Sequence, residues 1–144
     1  MSLSASEWQV MRVVWAQGAL PSSAIITSLQ DKFNWSPSTI KTLLGRLVDK
    51  GALQTERHGR QYIYSPILAE EATYQEEVRQ AFDKICQRKH LPLLLSILTD
   101  LPMTASDIAA AEALLCSKKE QVVDVVPCNC LPSQCTCEKE VQHG

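Results

Sequence analysis

The sequence has no apolar run long enough to cross a membrane. A membrane-spanning helix needs about 20 consecutive apolar residues, and the longest apolar stretches here are interrupted by proline, aspartate or lysine. The first ten residues, MSLSASEWQV, contain neither the basic region nor the apolar segment of a signal peptide. We therefore expect a cytoplasmic protein with no membrane partner. In that compartment the six cysteines are expected to be thiols or metal ligands rather than disulfides.

Catalytic constellations are also missing. The sequence contains no plausible pair of carboxylates, no nucleophile with a partner base and no glycine loop that would cradle a phosphate. Internal repeats and low-complexity tracts are absent as well. We therefore do not expect an enzyme.

Charge is unevenly distributed along the chain. The net charge of -2 divides into +3 over residues 1–66 and -5 over residues 67–144. A basic segment favours a polyanionic partner, whereas an acidic segment favours a role other than contact with DNA. With 144 residues the chain is long enough to bury a core without disulfide bonds.

Residues 1–67 begin with three helix signals. A capping-box pattern formed by Ser4 and Glu7 starts the first helix. Pro21 opens the second helix, and Ser36-Pro37 opens the third, with serine as N-cap and proline in the first turn.

A hairpin follows the third helix. Two extended stretches, Leu53–Arg57 and Gln61–Ser65, flank the turn dipeptide His58-Gly59. Three helices followed by a hairpin predict a mainly α fold with a small β-hairpin wing. Residues 1–67 would then form an N-terminal winged helix-turn-helix domain that binds DNA.

One face of the third helix is suited to contact DNA. On a helical wheel its leucines and isoleucine share one side, and its hydroxyls and cations lie opposite. An arginine can read a guanine edge, and a threonine can contact a thymine methyl group or a phosphate. Two arginines at the hairpin tip suit the phosphate backbone. The predicted DNA-binding residues are Ser38, Thr39, Lys41, Thr42, Arg46, Arg57 and Arg60.

Each of these features has an ordinary alternative. The third helix alone has the pattern of any amphipathic helix, and the ordered set of helices and basic hairpin is what favours DNA binding. His58 is interpreted as a turn residue, and Tyr62 and Tyr64 as packing residues of the wing strand. The three tryptophans are interpreted as core or interface residues.

Residues 68–120 predict a helical dimerisation region. The expected helices are Leu68–Lys89, Leu91–Leu101 and a third that starts at a Thr104–Asp107 capping box. Such short helices bury little surface alone, so we expect them to pack against a second copy. Cys86 and Cys116 lie on apolar faces there and are interpreted as buried small hydrophobic residues.

Residues 121–144 form a cysteine-rich tail with the pattern C-x-C-x4-C-x-C. Thiolates are soft ligands that select Cu(I) or Zn(II), and four of them can surround one zinc ion. The tight C-x-C pairs also suit a small multinuclear Cu(I) cluster. A structural zinc knuckle or two disulfides are the alternatives, and His143 is interpreted as solvated. The predicted metal ligands are Cys128, Cys130, Cys135 and Cys137.

Taken together, these motifs resemble a known family. Similarity to the winged-helix penicillinase repressors of the BlaI/MecI type is carried by SEWQVMRVVWAQG, WSPSTIKTLLGRLVDKGAL and RHGRQYIYSP. The tail segment CNCLPSQCTC resembles that of their copper-sensing CopY branch. The resemblance implies a homodimer that binds an inverted-repeat operator of copper-export genes. It also implies that the Zn(II)-loaded dimer represses, and that Cu(I) from a copper chaperone displaces the zinc and releases the DNA.

The sequence departs from the β-lactam-sensing members of that family. Those members are inactivated by cleavage at an Asn-Phe bond, and this dipeptide does not occur in the chain. We therefore expect direct metal sensing. Two alternatives stay open, a metallothionein-like copper buffer and a winged-helix repressor whose tail zinc is purely structural.

Overall fold

The structure of the protein is a computed structural model that describes residues 2–137. This part of the chain contains six α-helices and three β-strands. The helices are α1 Ala5–Gln17, α2 Ser22–Lys32, α3 Pro37–Asp49, α4 Glu70–Asp83, α5 His90–Asp100 and α6 Ala105–Lys118. The strands are β1 Leu20–Pro21, β2 Leu53–His58 and β3 Gln61–Pro66, and short 3-10 turns cover Gln87–Lys89, Lys119–Gln121 and Pro132–Gln134. The predicted mainly α fold with a small β wing is confirmed.

The chain divides into two compact units, Met1–Glu77 and Val78–Gly144. The division into residues 1–67, 68–120 and 121–144 was predicted from the expected role of each segment. The two compact units do not test it, so it stays a prediction. None of the described helices combines the length and the apolar character that crossing a membrane requires.

The first unit is built around an apolar core to which α1, α2 and α3 all contribute. The buried side chains of these helices recur every three or four residues, so one face of each helix is apolar. Burial of one such side chain is worth about 1.5–3 kcal/mol. The core residues with no exposed surface include Val10, Met11, Val14, Ile25, Ile40, Leu44 and Leu47.

The helix starts in this unit follow the sequence signals. Ser4 Oγ accepts a hydrogen bond from the Glu7 backbone N–H, and Ser36 Oγ accepts one from Thr39, both at 3.2 Å. The Glu7 carboxylate is 2% exposed and accepts two hydrogen bonds from Lys50 Nζ, at 2.6 and 3.0 Å. Because a buried carboxylate needs a partner, this ion pair ties the start of α1 to the end of α3.

Strands β2 and β3 form the predicted hairpin with a turn shifted by one residue. His58 pairs with Gln61, so the two turn residues are Gly59-Arg60 rather than the predicted His58-Gly59. Gly59 has a φ of 65°, a conformation that glycine adopts without steric strain. Arg60 therefore lies in the turn itself, at the wing tip where the sequence placed it.

Strand β1 extends the hairpin into a three-stranded antiparallel sheet of order β1-β3-β2. Leu20 of β1 pairs with Tyr64 of β3. This strand was not predicted, because two residues are too few to show the alternation of a strand. It fixes the segment before α2 against the wing.

Two of the tryptophans form an aromatic group with Tyr74 of α4. Trp8 stacks on Tyr74 with ring centroids 5.6 Å apart, and Trp15 meets the same ring edge-on at 5.4 Å. Trp15 Nε1 also donates a hydrogen bond of 2.9 Å to the Leu68 carbonyl oxygen. The first half of α4 therefore packs on α1.

In the second unit the helices keep their apolar side chains exposed. Neither α5 nor α6 has a buried residue. Every leucine and isoleucine of α5 is at least 41% exposed. The predicted capping box of α6 is confirmed, since Thr104 and Asp107 exchange two hydrogen bonds of 3.0 Å.

The helix predicted over Leu68–Lys89 is shorter than expected. Helix α4 ends at Asp83, and a separate 3-10 turn follows at Gln87–Lys89. Cys86 precedes that turn with φ -54° and ψ 131°, so it does not lie on a helix face as the sequence suggested.

His90 holds this reversal of the chain. Its Nε2 lies 2.8 Å from the Phe82 carbonyl oxygen and 2.9 Å from that of Ile85. Since carbonyl oxygens only accept, Nε2 carries the proton and donates. These contacts engage the carbonyl oxygen of Phe82 in the last turn of α4 and that of Ile85 just beyond the helix.

Candidate nucleic-acid interface and metal centre

Helix α3 presents the predicted polar face to solvent. Its apolar side, with Ile40, Leu43, Leu44 and Leu47, is buried in the core of the first unit. The opposite side is exposed and carries the predicted DNA-binding residues Ser38, Thr39, Lys41, Thr42 and Arg46. The structure therefore brings these five side chains onto one accessible surface, which we call the α3 face.

The hydroxyl groups in the first turns of the α3 face are held in place. Ser36 Oγ lies 3.1 Å from Ser38 Oγ and 2.9 Å from Thr39 Oγ1. Thr42 Oγ1 donates a hydrogen bond of 2.9 Å to the Ser38 carbonyl oxygen. Ordered hydroxyls and free backbone N–H groups at a helix start are suited to contact phosphate oxygens.

The wing positions the other two predicted residues at its tip. Arg57 Nε donates to the Gly59 carbonyl oxygen at 3.0 Å, and its guanidinium lies 5.9 Å from the centre of the Tyr62 ring. Arg60 is exposed in the turn itself. Tyr62 is 48% exposed, so it packs against an arginine rather than in the core.

A groove joins the α3 face to the wing. Lys41 and Arg60 line it together, from two different elements. Ser22 and Ser23, in the first turn of α2, and Tyr62 line it as well. Sequence reasoning missed the two serines and interpreted Tyr62 as a packing residue of the wing strand. Serines directly after Pro21 at a helix start are a signal for an anion-contacting turn. Two cations and several hydroxyls around one groove suit a phosphate backbone.

Four thiols come together in the second unit. The sulfur atoms of Cys86, Cys128, Cys130 and Cys137 all lie within 4.8 Å of one another. We call this set the thiol cluster. Cys135 lies outside it, with its sulfur 3.4 Å from that of Cys128. The structure thus gathers the C-x-C-x4-C-x-C segment and adds a residue that sequence reasoning had set aside.

Cys86 is the residue that the sequence interpretation misjudged. Its sulfur lies 3.3 Å from that of Cys137 and 3.9 Å from that of Cys128. It is half-buried among thiols rather than packed as a small hydrophobic residue. Cys116 is exposed on α6 and is not buried as expected either. The question of His143 lies outside the described residues.

The turn that follows Cys86 holds the tail through three polar contacts. Arg88 Nε donates to the Val126 carbonyl oxygen at 2.6 Å, and Arg88 Nη1 donates to that of Cys137 at 3.4 Å. The Gln87 backbone N–H donates to Asn129 Oδ1 at 2.8 Å. These contacts dock residues 126–137 on the turn without using any sulfur atom.

The thiols differ strongly in acidity. A backbone hydrogen bond from Arg88, followed by hydrogen bonds from the Cys130 and Cys137 thiols, lowers the pKa of Cys86 to about 6. The hydrogen bond to Cys86 is also the main cause that raises the pKa of Cys130 to about 12 and that raises the pKa of Cys137. One thiolate therefore forms readily at Cys86, and ionisation of Cys130 and Cys137 beside it is disfavoured.

The thiol cluster fits a soft metal ion. A tetrahedral Zn(II) with Zn–S bonds of about 2.3 Å separates its sulfur ligands by about 3.8 Å. The sulfur–sulfur separations from Cys86 to Cys137 and to Cys128, 3.3 and 3.9 Å, bracket this value, and all four sulfur atoms lie within 4.8 Å of one another. Thiolate sulfur binds Zn(II) and Cu(I) in preference to hard cations. The guanidinium of Arg88 lines the same cavity as the tail cysteines and would offset the negative charge of a four-thiolate site.

Comparison with known proteins defines the class of this protein. Its residues 3–117 match the penicillinase repressor family, which is a family of DNA-binding transcriptional repressors. The chain belongs to that family. The prediction that it is not an enzyme is confirmed by this membership, and the expected DNA partner follows from it.

Three individual proteins illustrate the similarity. An uncharacterized 16.5 kDa protein of Latilactobacillus sakei is 38% identical over 138 residues, which cover 96% of this chain and 94% of that protein. The Bacillus licheniformis BlaI monomer, solved in complex with the blaP half-operator, is 37% identical, with a TM-score of 0.45, and the match covers 49% of this chain and 87% of that chain. A CopR repressor structure is 40% identical, with a TM-score of 0.42, over 48% of this chain and 100% of that chain.

Proposed function

We propose that this protein is a copper-responsive transcriptional repressor. It binds its operator in a Zn(II)-loaded form and releases it when Cu(I) displaces the zinc. The observation that carries the proposal is the thiol cluster, a set of soft ligands in a chain whose family represses transcription. This function places the protein in the cytoplasm, where thiols stay reduced.

The DNA contacts come from the first unit. The α3 face enters the major groove, where Arg46 reads a base edge and the hydroxyls contact phosphates. Arg57, Arg60 and the groove beside Lys41 bind the phosphate backbone, since they combine exposure with positive charge. Two copies of this unit bind the two halves of an inverted repeat.

A homodimer supplies those two copies. Its support is α5, whose leucine and isoleucine side chains are all exposed to solvent in the part of the chain that the structure describes. Monomeric proteins rarely leave such a continuous apolar surface in water. A second copy of the same helices buries it, and a two-fold axis then matches the symmetry of an inverted-repeat operator.

The metal response comes from the tail. Cys128, Cys130, Cys135 and Cys137 are the tail cysteines proposed to hold metal, with Zn(II) bound in the repressing form and Cu(I) bound as the inducer. Cu(I) binds thiolates more tightly than Zn(II) does, and C-x-C pairs suit two neighbouring Cu(I) ions. A copper chaperone is the proposed donor, and copper-export genes are the proposed targets.

The test is operator binding titrated with Cu(I). A duplex is first selected from a random pool by the zinc-loaded protein, and fluorescence anisotropy then measures affinity while metal content is followed in parallel. We expect Cu(I) to weaken binding by about 5- to 150-fold, the usual range of allosteric coupling. The Cys116→Ser variant, which changes an exposed cysteine outside the thiol cluster, should respond in the same way.

Two outcomes contradict the proposal in different ways. If Cu(I) replaces the zinc and operator affinity stays unchanged, the tail zinc is purely structural. If Cu(I) binds but no duplex is selected from the pool, the chain is a copper buffer.

A further inference from the structure

The position of Cys86 does not follow from the tail motif. It lies 42 residues before Cys128 and 51 before Cys137 in the chain, yet its sulfur is 3.9 and 3.3 Å from theirs. Among the described His, Cys, Asp and Glu side chains, the only group arranged to hold a metal ion contains Cys86 and three tail cysteines. Cys135 is not in that group.

The contact is built by more than the sulfur atoms. His90 fixes the chain reversal in which Cys86 lies, through two hydrogen bonds to carbonyl groups. Arg88 and Gln87 then dock the tail on the same turn at three points. Cys86 is therefore presented to the tail by polar contacts that use no sulfur atom.

We infer that Cys86 is the fourth zinc ligand, together with Cys128, Cys130 and Cys137. This assignment deepens the proposed function and rests on it for the identity of the metal. It replaces Cys135, which the tail motif alone would choose. Cys135, with its sulfur 3.4 Å from that of Cys128, is placed to become a further ligand when Cu(I) ions are bound.

With this assignment the metal ion is bonded directly to the connection between α4 and α5. Cys86 follows the end of α4 and precedes α5, so a metal bound by Cys86 and the tail closes a chain loop of more than 40 residues. Loss of the Cys86 bond leaves the tail attached to the α4–α5 connection only through the hydrogen bonds of Gln87 and Arg88. A site made of tail cysteines alone would leave that connection unaffected.

The first test uses the full-length wild-type chain and no DNA. The protein is loaded with one equivalent of Zn(II) and treated with N-ethylmaleimide, and peptide mass spectrometry follows the rate at which each cysteine is alkylated. We expect zinc to protect Cys86 as strongly as Cys128, Cys130 and Cys137, while Cys116 reacts at its metal-free rate. Reaction of Cys86 at its own metal-free rate, with the tail cysteines protected, overturns the inference.

The second test compares three matched variants. Zn(II) affinity is measured by competition with a chromophoric chelator for Cys86→Ser, Cys135→Ser and Cys116→Ser. Loss of a residue that only supports a ligand costs about 10- to 100-fold in metal affinity, so loss of Cys86 should cost at least tenfold. Cys135→Ser should cost less, and Cys116→Ser should cost nothing. Wild-type affinity in Cys86→Ser together with a large loss in Cys135→Ser contradicts the assignment.

These tests separate the two proposals. Cys86-dependent zinc binding with an operator affinity that ignores Cu(I) rejects the copper-responsive function and keeps the ligand assignment. A normal copper response together with zinc binding that does not depend on Cys86 keeps the copper-responsive function and rejects the ligand assignment. An absence of zinc binding at one equivalent, with every cysteine alkylated, overturns both.

Discussion

The two units of this protein bury their side chains to very different extents. Helices α1, α2 and α3 enclose a continuous apolar core, with many residues fully inaccessible to solvent. Among the described residues of the second unit, Cys137 is the only buried one, and its burial is against other thiols. The first unit thus owes its stability to the hydrophobic effect, whereas the second presents apolar helices and soft ligands.

This difference indicates which unit can fold without a binding partner. A core that is complete within one chain can fold without a partner, because its apolar area is already removed from water. Exposed leucines and clustered thiols gain stability only when something else is bound, which in the proposed function is a second copy and a metal ion. In that proposal, dependence on binding partners makes the second unit suitable as a sensor.

The largest expected effect comes from deleting a core side chain. Leu44→Ala removes a leucine with 0% exposure and should destabilise the protein by about 2–5 kcal/mol at any protein concentration. Leu98→Ala is the matched change at a residue that is 42% exposed. Its cost should be small in dilute protein and grow with concentration, because it would weaken the proposed dimer. Urea unfolding at two protein concentrations measures both, and a concentration-independent loss for Leu98→Ala would mean that α5 packs within one chain.

An intermediate effect is expected from the α3 face. Arg46→Ala should weaken operator binding by about 1–3 kcal/mol, the worth of one bidentate base contact, and leave Zn(II) affinity unchanged. Arg79→Ala removes the same charge from the exposed surface of α4 and serves as the control. Anisotropy titrations with the selected duplex measure the difference. Equal losses in the two variants would indicate that only net charge matters.

The smallest effect is expected from the helix caps, one in each unit. Thr104→Ala and Ser36→Ala each remove a side chain that caps a helix and should each cost about 1 kcal/mol at pH 7. Only the α6 box also contains a carboxylate. Hydrogen bonds from the backbone and then the side chain of Thr104 lower the pKa of Asp107.

The pH dependence of these two variants should therefore differ. Because the pKa of Asp107 is lower in the folded chain, its contribution to stability is present above the unfolded pKa and is lost as the pH falls through the folded pKa. The cost of Thr104→Ala should shrink in acid, while that of Ser36→Ala stays constant. Thermal unfolding at pH 7 and pH 3 tests this, and a parallel change in both variants would speak against the role of Asp107.

Much of the first unit was predictable because its signals are local. Ser36-Pro37 marks the start of α3, and the spacing of its leucines identifies the buried side, so the exposed residues follow by elimination. The cysteines of the tail were predictable for the same reason, since C-x-C pairs bring thiols together over a few residues. Strand β1 was missed because it exists only through its pairing with β3.

The sequence by itself determined the recognition-helix pattern, the basic hairpin and the presence of soft ligands in the tail. These depend on contacts between residues close along the chain, where helical periodicity and turn preferences apply. Only the tertiary structure decided that α4 stops at Asp83 and that Cys86 joins the thiols. The reason is physical: hydrogen bonds from His90 and Arg88 reverse the chain and dock a segment about 40 residues away, and no local pattern records such a contact.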